Sequence, residues 1–450
     1  MSESKKAFNT TSAVMLGIGS MVGAGIFIVI GQAGAIAGNL VWLSFVIGGI
    51  AALLSGYSLA KLALRYPSRG GIVEYLVQSF GEGIFSGSAG VLFYLSQLVA
   101  IAAVAKSFGA YAATFMHTPG EWQNIFAVGV VALFILINLV GASVVAKSEN
   151  IIVTIKVSVL VFFTVVALFF IKPELLSVQD MPPLKDMLFA VGLTFFAYQG
   201  FSVITNTIED MENPAHTMMR AMIIAILLVG ALYILTSVAV LGNLPLERVI
   251  ATKDYALAEA AKPIFGEWGF KIMAATALLA TASAINATLY AATEISYTMA
   301  KEGDLPKVYT YNVYNSFEGL IISGLLILPM ILFLNLSEVT TIAALVVLII
   351  QGVTHVGHLF KIKETGANFA LVLGAVIGMF SIAVLTLYHT SQSMPMIGYY
   401  IIGAFAIAFA IEIILRLVTK RVISKQVTPL SYLEREAKQI LKNLTKKDRS

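Results

Sequence analysis

Lys156 is the residue of this chain with the most chemistry open to it. It interrupts Ile151-Ile-Val-Thr-Ile-Lys-Val-Ser-Val-Leu-Val161, a run that is otherwise nearly apolar. A lysine held in a low dielectric can exchange its proton at physiological pH. The competing reading is that its long side chain snorkels to the membrane edge, roughly 10 Å back toward Glu149. Two glycine-rich stretches offer a second kind of chemistry. One is Gly17-Ile-Gly-Ser-Met-Val-Gly-Ala-Gly-Ile-Phe27; the other is Gly192-Leu-Thr-Phe-Phe-Ala-Tyr-Gln-Gly200. Glycine inside a helix costs about 1 kcal/mol relative to alanine. Irregular backbone at membrane depth persists only where protein or a polar cavity surrounds it. The ends of a broken helix offer N–H groups to an anion and C=O groups to a cation. Close packing of helices through small residues is the alternative reading of the first stretch.

The elements that must hold these residues are helices in a bilayer. Of 450 residues, 58% are hydrophobic and only 12% are charged. Soluble domains carry about a quarter charged residues. Apolar runs near 20 residues recur along the whole length, as membrane-spanning helices require. Twelve spans are expected, at about 11–33, 39–64, 84–116, 123–141, 149–171, 185–207, 217–242, 266–300, 318–334, 338–358, 367–388 and 397–418. The first apolar run lacks a small-residue cleavage pattern and is not read as a signal peptide. An even number of spans puts both termini on one side. Of the 29 Lys and Arg, 21 fall on that side and six on the other, so both termini are expected in the cytoplasm. Cysteine is absent, which excludes disulfides and thiol chemistry. The two glycine-rich stretches stand five spans apart. If spans 1–5 and 6–10 are two halves, the interruptions correspond, which points to a transporter binding site.

Four motifs, in order, carry a family resemblance. Gly23-Ala-Gly-Ile-Phe27 and Phe195-Phe-Ala-Tyr-Gln-Gly-Phe201, the latter followed by Glu209-Asp-Met-Glu-Asn-Pro214, resemble spans 1 and 6 of the amino acid–polyamine–organocation transporter superfamily. Tyr66-Pro-Ser-Arg-Gly-Gly-Ile72 is similar to its loop between spans 2 and 3, and Met299-Ala-Lys-Glu-Gly-Asp-Leu-Pro306 to the end of its span 8. Small prokaryotic proton-coupled amino acid permeases are the nearest resemblance. It implies an all-α membrane protein of the LeuT type, with broken helices 1 and 6 in a five-plus-five inverted repeat. The chain then divides into a cytoplasmic N-terminus (1–10), a ten-helix core (11–360, repeats about 11–171 and 185–358), two accessory helices (361–418) and an amphipathic tail (419–450).

The same resemblance implies a site for a zwitterion. The substrate carboxylate would meet N–H groups near Ser20, Gly23, Ala24 and Gly25. Its ammonium would meet carbonyls near Gly19 and Ser20 and near Phe195, Phe196 and Tyr198. These stretches hold no charged side chain, which favours neutral substrates. Phe196 or Phe195 is placed to close over the substrate, with plain packing as the alternative. Sodium-coupled relatives hold an ion between spans 1, 5 and 8. By resemblance, Lys156 occupies that place, facing carbonyls near Gly17 and Gly19 and hydroxyls near Thr281 and Ser283.

The expected function is therefore import of neutral amino acids across the plasma membrane, driven by protons and needing no cofactor, metal or nucleic acid. A sodium-independent exchanger and a sodium-coupled carrier are the rivals; the lysine argues against the second. A channel would need a polar stripe along its spans, an enzyme would need clustered acids or histidines, and an ATP-driven pump would need a P-loop; none is present in the sequence. Lys106 is a second candidate proton carrier or a snorkelling residue. Asn286 reads as helix–helix glue. His355 and His358, one turn apart with no neighbouring carboxylate, are not expected to hold a metal. Glu209 is a candidate partner for Arg65 or Arg69 in a cytoplasmic latch. The loop 243–265 is read as a surface helix or a gate. The sequence carries no signal for an oligomeric state.

Overall fold

The computed structural model describes residues 9–140, 143–176, 183–302, 305–314 and 316–419. The expected N-terminal segment and amphipathic tail lie outside the described residues, except for Asn9, Thr10 and Thr419. Seventeen α-helices make up the described chain. They are α1 (Thr10–Ala37), α2 (Val41–Arg65), α3 (Ile72–Phe80), α4 (Ile84–Ala113), α5 (Pro119–Val140), α6 (Ser143–Leu168), α7 (Leu184–Phe189), α8 (Val191–Tyr198), α9 (Pro214–Asn243), α10 (Leu246–Ala251), α11 (Ala256–Glu259), α12 (Lys262–Glu302), α13 (Glu318–Phe333), α14 (Leu336–Phe360), α15 (Ile362–Thr365), α16 (Phe369–Ser393) and α17 (Ile397–Thr419). A hairpin of two two-residue strands, β1 (Asn312–Val313) and β2 (Ser316–Phe317), precedes α13. The end of the bundle from which α1 starts is called here the terminal face.

Ten stretches among the described residues are long and apolar enough to cross a membrane, against the twelve expected. The difference has two sources. Gly25–Arg65 forms one stretch, because only the short 3₁₀ turn Gly38–Leu40 separates α1 from α2. The 16 residues of α13 rise about 24 Å, short of a hydrocarbon core near 30 Å.

Local chemistry sets several helix starts. Asn9 caps α1 by accepting from the Ser12 N–H at 2.9 Å. Asn335 and Glu338 form a reciprocal capping box on α14. Gly71 enters α3 with φ +54°, and an added Cβ there would collide with the Asn206 side chain, so both backbone and space call for glycine.

At the centre, α1 packs on α9, α8, α12, α6 and the 3₁₀ segment that follows α8. At the expected break in span 6 the helix is not interrupted but changes type. The chain is α-helical to Tyr198 and then 3₁₀ from Gln199 to Asp210. Twelve residues of 3₁₀ helix are unusual, since such runs rarely exceed four and often mark a hinge. The expected break in span 1 is not present: α1 is helical throughout, Gly17 to Gly25 included. Its glycines serve close approach instead. A Cβ at Gly17 would lie 2.6 Å from Ile204 Cδ1, and one at Gly19 2.8 Å from Val153. Gly200 meets α1 backbone to backbone, with its absent Cβ 2.5 Å from the Met21 nitrogen and the Ser20 carbonyl carbon. The two glycine-rich stretches therefore cross each other at Ser20, Met21 and Gly200.

Candidate substrate and proton site

A cavity of about 940 Å³ extends from where these stretches cross to residues at the terminal face. Its deep wall includes Gly19, Ser20, Met21 and Gly25 of α1 with Phe196, Ala197, Gln199 and Gly200 of span 6. Its mouth includes Thr11 and Met15 at the start of α1 and Tyr290 of α12, all exposed. Among the described residues, no charged side chain lines it. The polar atoms of the wall are hydroxyls and amides, including Gln97, Thr154, Gln199 and Thr288. Such a wall hydrogen-bonds a neutral guest but gives a charged side chain no counter-ion, and an uncompensated ion is costly in a low dielectric.

The opposite end is closed. Gln32 donates to Asp254 Oδ1 at 2.6 Å and accepts from Ser337 Oγ at 2.6 Å, and Lys253 donates to the same Ser337 hydroxyl at 3.1 Å. Gly31 lies directly against the Lys253 carbonyl. The loop expected as a surface helix or a gate supplies Lys253 and Asp254 to this closure, and α1 and α14 supply Gln32 and Ser337. Its helix α11 is buried over all four residues, so it is not a surface helix.

Lys156 does not snorkel. It is fully buried, and its Nζ donates to the Gly19 carbonyl at 2.9 Å. A local rule explains why that carbonyl is open to it. In an α-helix the Cβ of residue i+4 tilts back over the carbonyl of residue i. Residue 23 is glycine, and a Cβ there would stand 3.5 Å from the Lys156 ammonium and 3.1 Å from the Ala284 Cβ. Lys156 thus lies between α1 and the Ala280–Ala284 stretch of α12. The same rule operates one step on. Tyr233 donates to the Met21 carbonyl at 2.7 Å, and residue 25 is again glycine, whose Cβ would fall 2.5 Å from the Tyr233 hydroxyl. Tyr111 donates to the Phe27 carbonyl at 2.9 Å, with Gly31 four residues on. Side-chain donors therefore reach the carbonyls of α1 without any unwinding.

The expected residues sort as follows. Gly19, Ser20, Gly25, Phe196 and Ser283 stand on the cavity wall, and Lys156 is bonded to Gly19. Ala24 belongs to the same helical turn of α1 as Gly23 and Gly25. Phe195 is fully buried, edge-on to Phe201, and is not a lid in this conformation. Tyr198 turns to α2 and donates to the Phe45 carbonyl at 3.0 Å. Thr281 spends its hydroxyl hydrogen on the Ala277 carbonyl of its own helix. Since α1 is helical, the N–H groups of Gly23, Ala24 and Gly25 are committed to helix bonds rather than open to a carboxylate. Lys106 donates to Asn124 Oδ1 at 2.7 Å, and Asn286 accepts from Asn138 at 2.7 Å as helix–helix glue. On the terminal face, Arg69 pairs with Asp210, the neighbour of the expected Glu209, at 2.8 Å. Sequence reasoning passed over Gln97, Thr154 and Thr288 on the wall, and Tyr233 and Tyr111 behind it. Gln97 alone carried a signal, as an amide inside an apolar run.

Comparison with known proteins agrees with this architecture. Residues 8–367 match the family model described as amino acid permease. An uncharacterized protein of Methanocaldococcus jannaschii is 34% identical over 93% of this chain and 97% of its own. The inner membrane transport protein YbaT of Escherichia coli is 32% identical over 91% of this chain and 96% of its own. The branched-chain amino acid permease BcaP of Bacillus subtilis is 24% identical over 67% of this chain and 68% of its own. The chain belongs to the amino acid permease family, within the amino acid–polyamine–organocation superfamily. It is a multi-pass membrane transporter, not an enzyme.

Proposed function

We propose that this protein imports neutral amino acids together with protons across the plasma membrane by alternating access. Twelve crossings in two five-helix repeats of opposite orientation, followed by two accessory helices, form its frame. Both termini and the terminal face are cytoplasmic, so the cavity described above is the inward-facing state. The observation that carries the reading is the Lys156 ammonium on the Gly19 carbonyl, beside a cavity wall without charge among the described residues. A buried monovalent cation on a carbonyl of span 1 does what a sodium ion would do, and it can be removed by deprotonation.

The substrate ammonium meets carbonyls at Ser20 and Phe196, beside Gly19, where the two stretches cross. The carboxylate needs N–H groups that α1 now keeps for itself. Substrate binding is proposed to open α1 locally around Gly23, Ala24 and Gly25, where three small residues make unwinding cheap. Binding energy then selects the open form, since a ligand shifts an equilibrium only by its differential affinity.

Uptake into proteoliposomes without sodium, under an imposed pH gradient, tests this function. Accumulation above the outside concentration, abolished by a protonophore, is expected. Uptake that requires sodium, or only exchanges with internal substrate, would overturn it. Orientation has its own test, simplified by a sequence without cysteine. Tyr314→Cys lies in the exposed hairpin turn of the terminal face, and Glu247→Cys on exposed α10 at the opposite face. A membrane-impermeant maleimide added to intact cells is expected to label the second and spare the first. The reverse pattern would invert the topology.

A further inference from the structure

The interface of α2 and α14 contains a chain of hydrogen bonds that plays no part in the transport site. From the terminal face inward it links Thr365 Oγ1 to His358 Nε2 at 2.8 Å, and His358 Nδ1 to Ser58 Oγ at 2.7 Å. It continues from Ser58 Oγ to His355 Nδ1 at 2.8 Å, and from His355 Nε2 to Ser55 Oγ at 2.9 Å. It ends where Ser55 donates to Gln351 Oε1 at 2.7 Å. Every member except Thr365 is buried. Ionisable residues within membrane spans are expensive to keep and signal function by default.

With the Gln351 amide as placed, donor bookkeeping gives one polarity of the chain. Ser55 has one hydroxyl hydrogen and gives it to Gln351, so His355 Nε2 must donate to Ser55. His355 Nδ1 then accepts from Ser58, His358 Nδ1 donates to Ser58, and His358 Nε2 accepts from Thr365. Both imidazoles are neutral and every one of these bonds is satisfied. The opposite polarity is satisfied as well. It needs the Gln351 amide to flip, bringing in its Nε2, which has no partner now, and the Thr365 hydroxyl to turn to the Ile362 carbonyl, 3.3 Å away. A chain with two complete polarities, built from groups that both give and take protons, is a proton path.

We propose that this chain is a second proton-binding site, separate from Lys156 and loaded from the terminal face. Calling that source cytoplasmic rests on the orientation proposed above. A hydronium ion gives its proton to Thr365 Oγ1 as that hydroxyl's own hydrogen passes to His358 Nε2. The His358 Nδ1 hydrogen passes to Ser58 Oγ as the Ser58 hydrogen passes to His355 Nδ1. One hydronium has become water, and one positive charge has reached His355. His358 is left neutral, donating through Nε2 to Thr365, whose hydrogen now faces Ile362. His355 donates through both ring nitrogens, to Ser58 and Ser55. The Gln351 amide is too weak a base to pass the proton on, so it stops there.

Charged and titratable neighbours bear on this step. Lys61 on α2 donates through Nζ to the Gly366 carbonyl at 3.3 Å, next to the Thr365 end of the chain. At the mouth, Glu364 is held below the usual carboxylate range by the Tyr66 hydroxyl and by Lys361, so it stays anionic and attracts cations there. Glu74 on α3 accepts from Gln78, Glu412 and Arg416 on α17 pair with each other, Tyr94 on α4 and Tyr198 on α8 hold their own hydrogen bonds, and Tyr57 on α2 accepts from the Asn368 N–H. The inner half of α16 brings no titratable side chain.

Selective ¹⁵N-histidine labelling of the full chain in lipid nanodiscs tests the proposal. The five histidines are assigned by single substitutions. Between pH 8 and 4, the His355 and His358 signals are expected to move with one shared midpoint and to sum to one bound proton. Ser58→Ala is expected to abolish the shared midpoint, and Lys156→Met to leave it unchanged, which keeps this outcome independent of the transport mechanism. Substrate binding on each sample checks folding; should Ser58→Ala fail to fold, Ser58→Thr, which keeps the hydroxyl, should retain the shared midpoint and His355→Gln should leave His358 without it. Two neutral imidazoles down to pH 4 in folded protein would overturn the proposal. So would two separate protonations that Ser58→Ala does not alter.

Discussion

Lys156→Met is expected to reduce pH-driven accumulation to the level of passive leak, a loss of at least about tenfold, while substrate affinity changes by less than about threefold. Methionine keeps most of the volume and removes the charge. The Gly19 carbonyl keeps its helix bond, so α1 does not lose its fold. What disappears is the means by which a proton biases one conformation. If the two states differ by two units in their affinity for that proton, the bias is roughly 2.7 kcal/mol, or about a hundredfold in population. Without a titrating group at Gly19, the gradient no longer acts on span 1. Counterflow of labelled substrate against a preloaded pool, which needs no driving ion, separates this outcome from simple inactivation. Accumulation with wild-type pH dependence in Lys156→Met would end the assignment, and Lys106, which donates to Asn124, would be the next residue to examine.

Gly25→Val is expected to abolish substrate binding, and the reason is packing rather than blockage of a ligand path. A Cβ at Gly25 collides with the Ala197 carbonyl and comes within 2.5 Å of the Tyr233 hydroxyl. Neither can withdraw easily: the first is backbone of α8, and the second is held by the Met21 carbonyl. Span 1 must then move away from span 6, and the deep end of the cavity loses its shape. Overpacking of this kind costs typically 1–3 kcal/mol in stability, which a protein of this size usually survives. Gly378→Ala on α16, where nothing lies within 4 Å, is the matched control and should bind as wild type. Titration of purified protein with labelled substrate reads both. Wild-type affinity in folded Gly25→Val would remove the crossing of the two stretches from the site.

Much of this architecture was legible in the sequence for a physical reason. A bilayer requires long apolar helices, and such helices announce themselves by composition alone. A special place at Tyr198 and Gln199 was legible too, because polar residues between glycines have little other use at mid-span, although the structure changes helix type there rather than breaking. The state of α1 was not. Gly19, Gly23 and Gly25 permit an open backbone, but they equally permit Lys156 and Tyr233 to reach carbonyls of an intact helix. Sequence fixes that permission; the conformation and its ligand decide which use is made of it. Lys156 needed the partner helix to be located, since a snorkelling lysine and a buried one look the same in a single span. Thr154 and Thr288 escaped notice because one hydroxyl in a span is no different, in sequence, from a residue that merely joins helices, as Asn138 joins Asn286. The His355–Ser58–His358 chain escaped because its members come from helices some 300 residues apart.

Proton movement itself is the most direct measure of the central claim. Liposomes containing the purified protein and a trapped pH-sensitive dye, in sodium-free buffer with no pH gradient, receive an inward gradient of a neutral amino acid. The lumen is expected to acidify with substrate entry in the wild type, and to stay constant in Lys156→Met while substrate still equilibrates. Substrate entry without acidification in the wild type, or equal acidification in both proteins, would contradict the account.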